Sequence, residues 1–175
     1  MSVYKKYLTN VTNYDLINKF KFNYILDIPF LETVVLKFDL KIYDYDLLIR
    51  CLVVLDLISS GKRYSIIKSR KSSIVLKTKK GLPVGCKITL KNKKALNFLF
   101  FLINNNKLSI KSYKIVKNKK CFANFTFCSV LNFFKLQDNY HFFKSVKNLN
   151  IKVVTTTNNH KEFEYLLNNH KFKQM

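Results

Sequence analysis

Lysine and arginine recur among serine and threonine residues in the stretch from residue 61 to residue 91. It reads GKRYSIIKSRKSSIVLKTKKGLPVGCKITLK. A lysine ammonium is a point charge that suits a phosphate, while hydroxyls and loop amides bond phosphate oxygens and 2′-hydroxyls. Tyr64 is the only aromatic residue between Leu57 and Leu96, whereas single-strand binders stack bases on aromatic side chains. The stretch therefore predicts a surface that contacts the backbone of a structured RNA.

The positive charge is concentrated in one region of the chain. Residues 1–56 carry seven basic and seven acidic side chains, and residues 138–175 carry six and three. Residues 57–137 carry nineteen Lys and Arg and no Asp or Glu. A surface that is only soluble mixes both signs, so this region indicates a nucleic-acid footprint.

The overall composition limits the class and origin of the protein. The chain has 175 residues, 48% of them hydrophobic, which predicts a single domain spanning 1–175. Four cysteines are too few for a disulfide scaffold, and the longest apolar run, residues 98–103, is far shorter than the roughly 20 residues of a membrane span. Lysine supplies 29 of 32 basic residues, and Gly, Pro and Trp are scarce, a bias typical of A/T-rich organellar genomes. The N-terminus has no presequence pattern, so we expect synthesis inside the organelle.

No group of residues predicts catalysis or a metal site. Gly61 and Lys62 resemble the end of a phosphate-binding loop, but Asp56 stands where its first glycine belongs and Arg63 where its Ser or Thr belongs. The cysteines form no CxxC pair, and Cys51 and Cys86 fall on predicted core faces, which favours buried structural thiols. The histidines lie in polar stretches without carboxylate patterns: His141, His160 and His170. We expect no enzyme activity, no cofactor and no metal.

Hydrophobic periodicity predicts an α+β fold, with a mostly antiparallel sheet, helices packed on one face and a long basic loop. Alternation in CKITLK, residues 86–91, is the clearest strand signal, with Cys86, Ile88 and Leu90 on one side. The predicted helices are 3–20, 44–60, 92–103 and 158–169. The predicted strands or extended pieces are 32–38, 64–67, 73–77, 86–91, 109–116, 121–127 and 149–155.

Several motifs resemble the family of universal large-subunit ribosomal protein five. KSRKS at 68–72 and GLPVGCKITL at 81–90 resemble its KARKS and GxPIGCKVTL motifs. Residues 22–36 hold FNY, IP and VVL in the order of its FNY, VP and ITL segments, and LNIKVVTTT at 149–157 resembles its GLDITITTT segment. The resemblance spans nearly the whole chain.

The resemblance implies a structural protein of the central protuberance of the large ribosomal subunit. Such a protein binds 5S rRNA and a large-subunit rRNA helix, helps to bridge to a protein of the small-subunit head, and reaches with a long loop toward the peptidyl-site tRNA. The residues expected to bind rRNA are Lys37, Lys62, Arg63, Lys68, Arg70, Lys71, Lys87, Thr89 and Lys91. The tRNA-facing loop would be 72–85, with Ser72, Ser73, Lys77, Lys79, Lys80, Gly81 and Pro83 as its expected contacts.

The chain departs from the family pattern at several positions. Lys37 replaces the asparagine of the ITLN strand and Lys62 replaces a glutamine, whereas Thr89 keeps the threonine of VTL. Two specific polar contacts of the sheet that faces 5S rRNA have thus become general cationic ones. The family's PRIRDFRGL segment is absent after Ile103, and the whole stretch 104–140 has diverged.

Alternatives to a structural ribosomal protein remain open at the sequence level. A free-standing RNA-binding or ribosome assembly factor could keep the same fold, and retention of the protein on the large subunit through a high-salt wash separates the two. An RNA-modifying enzyme is disfavoured by the missing catalytic residues. The expected compartment is the mitochondrial matrix, with a plastid as the alternative, and no membrane partner is expected.

Overall fold

Six strands form one sheet in the computed structural model, which describes residues 7–40, 44–59, 61–75, 78–104, 109–116, 120–157 and 159–169. The strands are Leu31–Asp39 (β1), Ser65–Lys68 (β2), Pro83–Lys91 (β3), Ser109–Val116 (β4), Lys120–Ser129 (β5) and Lys147–Thr155 (β6). Their order in the sheet is β2-β3-β1-β6-β5-β4. β2 pairs antiparallel with β3, and β4 with β5. The sheet confirms the predicted α+β class.

The helices alternate irregularly with the strands. They are Asn13–Lys19 (α1), Tyr45–Ser59 (α2), Asn92–Asn104 (α3), Phe134–Gln137 (α4), Tyr140–Phe143 (α5) and His160–Asn169 (α6). A π-helical turn, Leu8–Thr12, precedes α1, and short 3-10 turns lie at Ile25–Asp27 and Val130–Asn132.

The first predicted helix, 3–20, ends at Lys19, and its apolar stripe does not face the core as the pattern suggests. Its described part is the π-helical turn followed by α1, and residues 3–6 lie outside the described residues. Tyr14 and Ile17, which belong to the apolar stripe, are exposed, whereas Leu16 is buried. A spacing of three and four residues predicts the helix but does not fix which side faces the core.

The chain divides into two compact units. Unit 1 comprises Met1–Val34, Lys91–Thr126 and Lys152–Met175, and unit 2 comprises Val35–Leu90 and Phe127–Ile151. In unit 1, α1 contacts α6, where Phe20 and Tyr165 meet edge to face at 5.7 Å between ring centroids. The Thr155 hydroxyl in the same unit donates to the main-chain oxygen of Cys121 and lies 2.8 Å from the Thr157 hydroxyl. Buried polar groups are stable when they are paired in this way.

Unit 2 holds α2 against α4 and α5. The N-terminus of α2 is capped by Asp44, whose Oδ1 accepts a bond from the main-chain N–H of Leu47 at 3.2 Å. After its last residue, Gly61 adopts a left-handed φ of 72° and its N–H bonds the oxygen of Asp56, which is how a glycine ends a helix. The predicted helix 44–60 is thus confirmed to within one residue at each end.

Candidate RNA-binding surface

β1 and β3 each bury one face and leave the other face open. In unit 2, Leu36 and Phe38 of β1 are buried, and so are Cys86 and Ile88 of β3. Since side chains alternate along a strand, the residues between them share the opposite face. That face holds Lys37 of β1 and Lys87 and Thr89 of β3, with Lys87 exposed and the other two half-buried. We call it the open face.

The pairing of β1 with β3 brings these predicted residues together. The N–H of Leu40 donates to the oxygen of Val84 at 2.9 Å. Lys37 lies three residues before Leu40, and Lys87 lies three residues after Val84. In an antiparallel pair the two therefore lie beside each other. Gly85 permits the close approach, because a Cβ on it would collide with the main-chain oxygen of Phe38.

β2 adds a hydroxyl to the same face. Ser65 pairs with Lys87 in the register of β2 and β3, so both side chains lie on one side of the sheet. The Ser65 hydroxyl donates to the main-chain oxygen of Lys87 at 3.3 Å, and both residues are exposed. A cation beside hydroxyls can bond one phosphate and its adjoining ribose.

Asp39 was not predicted as part of this surface, although it modifies one of the predicted lysines. Its Oδ1 lies 2.6 Å from the Lys37 ammonium, and its Oδ2 accepts from the Asn150 amide at 3.1 Å. The Lys37 and Asp39 side chains are 42% and 46% exposed. The signal was in the sequence, since residues 37 and 39 of a strand share a face. Lys37 is therefore half of a neutral pair rather than a free cation.

Four other predicted rRNA contacts lie at or just beyond the ends of α2, β2 and β3. Lys62 follows the end of α2, where its N–H donates to the Ser59 hydroxyl at 3.3 Å, and Arg63 beside it is exposed. Lys68 is the exposed last residue of β2. Lys91 is the exposed last residue of β3 and belongs to unit 1.

Residues 69–82 form an arm between β2 and β3, which we call the basic arm. At its base, the N–H of Ser69 donates to the oxygen of Leu82 at 2.8 Å, and the N–H of Gly81 donates to the oxygen of Ser69 at 3.0 Å. Gly81 has a φ of 91°, which a residue with a Cβ rarely adopts. Paired main-chain bonds at the base fix the direction in which the arm leaves the sheet.

Further along the basic arm, Ser73 and Thr78 exchange two main-chain hydrogen bonds of 2.8 and 3.0 Å. Ile74 and Val75 beyond this bridge are 98% and 91% exposed. Lys77 lies outside the described residues. The other arm residues predicted to contact RNA are exposed, apart from the half-buried Ser73: Arg70, Lys71, Ser72, Ser73, Lys79, Lys80 and Gly81.

The loop of the sequence prediction, 72–85, extends too far at its C-terminal end. Pro83 is the first residue of β3 and pairs with Lys68 of β2. Proline is suited to this position because the first residue of a strand can do without a ladder N–H. Pro83 is therefore part of the sheet and not of the basic arm.

Cys51, Cys86 and Cys121 lie in the core rather than at a site. Burial raises the pKa of the Cys51 thiol to about 12, with a further rise from the Asp44 carboxylate. Burial likewise raises the pKa of Cys86 to about 12, with Cys51 as a smaller cause. Such thiols stay protonated at neutral pH and are poor nucleophiles and metal ligands. Within the described residues, no group of three or more His, Cys, Asp or Glu could hold a metal ion, and no helix is long and apolar enough to cross a membrane.

Comparison with known proteins adds a curated relative. The chain is 30% identical over 146 residues to a large ribosomal subunit protein uL5, from Desulforapulum autotrophicum. The alignment covers 81% of this chain and 81% of the relative. No protein-family model matches the chain.

Proposed function

Because the chain belongs to the family of large ribosomal subunit protein uL5, we propose that it binds large-subunit rRNA through the open face. Members of this family are structural constituents of the large subunit in translation, so the protein is not an enzyme. The observation that carries the proposal is the placement of the exposed Lys87 and of Thr89 beside Ser65 on one face of adjoining strands. β3, which supplies two of them, lies within the region that has no carboxylate.

The chemistry of the open face favours contact with the RNA backbone. Lys87 presents an exposed ammonium, and Ser65 and Thr89 present hydroxyls beside it. The ammonium neutralises a phosphate, and the hydroxyls exchange hydrogen bonds with phosphate or ribose oxygens. Contacts of this kind follow the shape of a folded RNA and do not depend on its base sequence. In its specific form, the proposal is that the open face binds 5S rRNA in the central protuberance of the large subunit.

We assign the basic arm to the peptidyl-site tRNA. Its base is fixed by the bonds between Ser69, Leu82 and Gly81, while Lys79 and Lys80 are exposed. A site that receives a different tRNA at each codon needs contacts that ignore sequence, and lysines on phosphates provide them. Lys62, Arg63 and Lys68 would extend the rRNA contacts around the sheet.

The experiment for the two assignments is ultraviolet crosslinking in purified ribosomes, followed by mass spectrometry of peptide–RNA adducts. We expect rRNA adducts on the peptide that holds Lys87 and Thr89, and tRNA adducts on peptides of the basic arm. Sequencing of the bound RNA reports whether a 5S rRNA is among the partners. Adducts found only on residues of unit 1 would refute the open face as the RNA site.

Charge reversal tests the arm separately. Lys79→Glu with Lys80→Glu should leave the protein on the large subunit and weaken binding of peptidyl-site tRNA. Lys144→Glu with Lys147→Glu changes two exposed lysines outside the arm by the same charge and should affect neither property. If the arm variant is lost from subunits washed in high salt, the arm holds rRNA and the tRNA assignment is wrong.

We propose the mitochondrial matrix as the compartment, on the strength of the lysine-rich, glycine-poor composition. Fractionation of cells into mitochondria, plastids and cytosol, with detection of this chain in each ribosome pool, tests that placement. Recovery from plastid ribosomes or from cytosolic ribosomes alone would contradict it.

A further inference from the structure

The outer side of α2 is apolar where a solvent-facing helix would be polar. Tyr45, Ile49 and Val53 are 59%, 40% and 37% exposed. They follow one another at intervals of four residues, so they form one stripe along the helix. The buried side of α2, with Leu48 and Val54 among its residues, faces the core of unit 2.

Carboxylates stand at both ends of this stripe. Asp46 lies in the first turn, and Asp56 lies three residues beyond Val53 on the same face. Both are exposed. They belong to residues 1–56, which carry as many acidic as basic side chains.

The basic side chain of α2 is engaged elsewhere. The Arg50 guanidinium donates to the Ser145 hydroxyl at 2.9 Å and lies 5.2 Å from the centre of the Phe142 ring. These contacts hold α5 beside α2, and Tyr140 and Phe142 of α5 are 47% and 43% exposed. Aromatic side chains therefore continue the apolar stripe onto the neighbouring helix.

The stripe faces away from the open face of the sheet. Cys51, on the buried side of α2, lies near Cys86, on the covered side of β3. α2 therefore covers the face of β3 opposite to Lys87 and Thr89. A partner on the outer side of α2 would not compete with RNA on the open face.

We propose that the outer side of α2 docks a basic segment of another protein of the same particle. Apolar side chains of that segment would cover Tyr45, Ile49 and Val53, and a Lys or Arg at each end would pair with Asp46 and Asp56. RNA is a poor occupant, because the two carboxylates repel phosphates. A second copy is also poor, since a two-fold contact would set these carboxylates against each other. The proposal does not depend on RNA binding by the open face.

Site-specific photocrosslinking tests the docking. The full chain with Val53→p-benzoylphenylalanine is exchanged into purified large subunits and irradiated, and the product is identified by mass spectrometry. We expect one basic protein segment to be crosslinked. Adding Asp46→Lys and Asp56→Lys should lower the yield about tenfold, because like charges would then oppose each other. The control pair Asp15→Lys and Asp27→Lys, two acids of unit 1, should leave the yield unchanged.

These variants also separate docking from RNA binding. Replacing Asp46 and Asp56 by lysine makes the chain more basic, so its affinity for rRNA should not fall, and retained rRNA binding shows that the variant is folded. Crosslinking to rRNA or to a second copy of this chain would overturn the proposal. The proposal would also be overturned if no crosslinked product forms and if maleimide labels Ile49→Cys equally in the free protein and in the subunit. The labelling is measured on the peptide that contains residue 49.

Discussion

The ion pair on the open face leads to a quantitative prediction about salt. Lys37 and Lys87 lie on the neighbouring strands β1 and β3. The ammonium of Lys37 lies 2.6 Å from the Asp39 carboxylate, whereas Lys87 has no such partner among the described ion pairs. A neutral pair displaces little counterion from RNA, whereas an exposed lysine displaces about one. Lys87→Gln should therefore reduce the salt dependence of RNA binding. Lys37→Gln combined with Asp39→Asn, which removes the pair without leaving an unpaired carboxylate, should leave it nearly unchanged.

The magnitude follows from counterion release. One phosphate contact contributes roughly 0.7 to 0.9 to the slope of log affinity against log salt concentration. Loss of the Lys87 contact should lower the slope by that amount, which is about threefold in affinity between roughly 50 and 200 mM salt. Asp39→Asn releases Lys37 and should raise the slope by a similar amount. The exposed pair contributes about 0 to 1 kcal/mol to folding, so these variants should remain folded.

The assay is fluorescence anisotropy of a labelled large-subunit rRNA fragment, titrated with the full chain over a series of KCl concentrations. Circular dichroism of each variant controls for folding. A slope change for the double variant Lys37→Gln, Asp39→Asn as large as that for Lys87→Gln would refute the assignment of Lys37 to a neutral pair. An unchanged slope for both would place the phosphate contacts elsewhere on the protein.

Three further predictions concern stability and the buried thiols. Gly85→Ala should lower the free energy of unfolding in urea by more than about 1 kcal/mol, because its Cβ would meet the main chain of β1. An unchanged free energy of unfolding would contradict the close approach of the two strands. Thr155→Val should lower the free energy of unfolding by about 1 to 3 kcal/mol, because it leaves the Thr157 hydroxyl without its 2.8 Å partner. An unchanged free energy of unfolding in urea would show that water replaces the bond. Cys51 and Cys86, with pKa values raised from 9.0 to about 12, bind protons more tightly in the folded state, so they should lower stability as pH rises above 9. Both should resist maleimide at pH 8 until the protein unfolds, as followed on each peptide; rapid labelling of either in the native protein would refute its burial.

The local sequence pattern was sufficient to predict which side chains of β3 lie on each face of the sheet. Alternation in residues 86–91 placed Cys86 and Ile88 on the covered face and Lys87 and Thr89 on the open one, as the structure has them. This works because the period of a strand is two, so one apolar side leaves the other side defined. The charge asymmetry was likewise a property of composition and needed no coordinates.

Contacts between distant segments could not be predicted from the sequence. Asn150 bonds Asp39 across 111 positions of the chain, and only the folded sheet brings them together. The state of Lys37 depends on that arrangement, since its partner carboxylate is held in place by a residue of β6. A charge count treats Lys37 and Lys87 as equal, although their surroundings differ.

Helix orientation was also decided by tertiary structure. Spacing predicted α2 and the helix around Tyr14, but it left open that Tyr14, Ile49 and Val53 face solvent. The hydrophobic effect depends on the apolar area removed from water and has no direction of its own. Where a helix carries more apolar residues than one side can bury, the packing of the other elements determines which of them stay exposed, and in α2 that choice left an apolar stripe between two carboxylates.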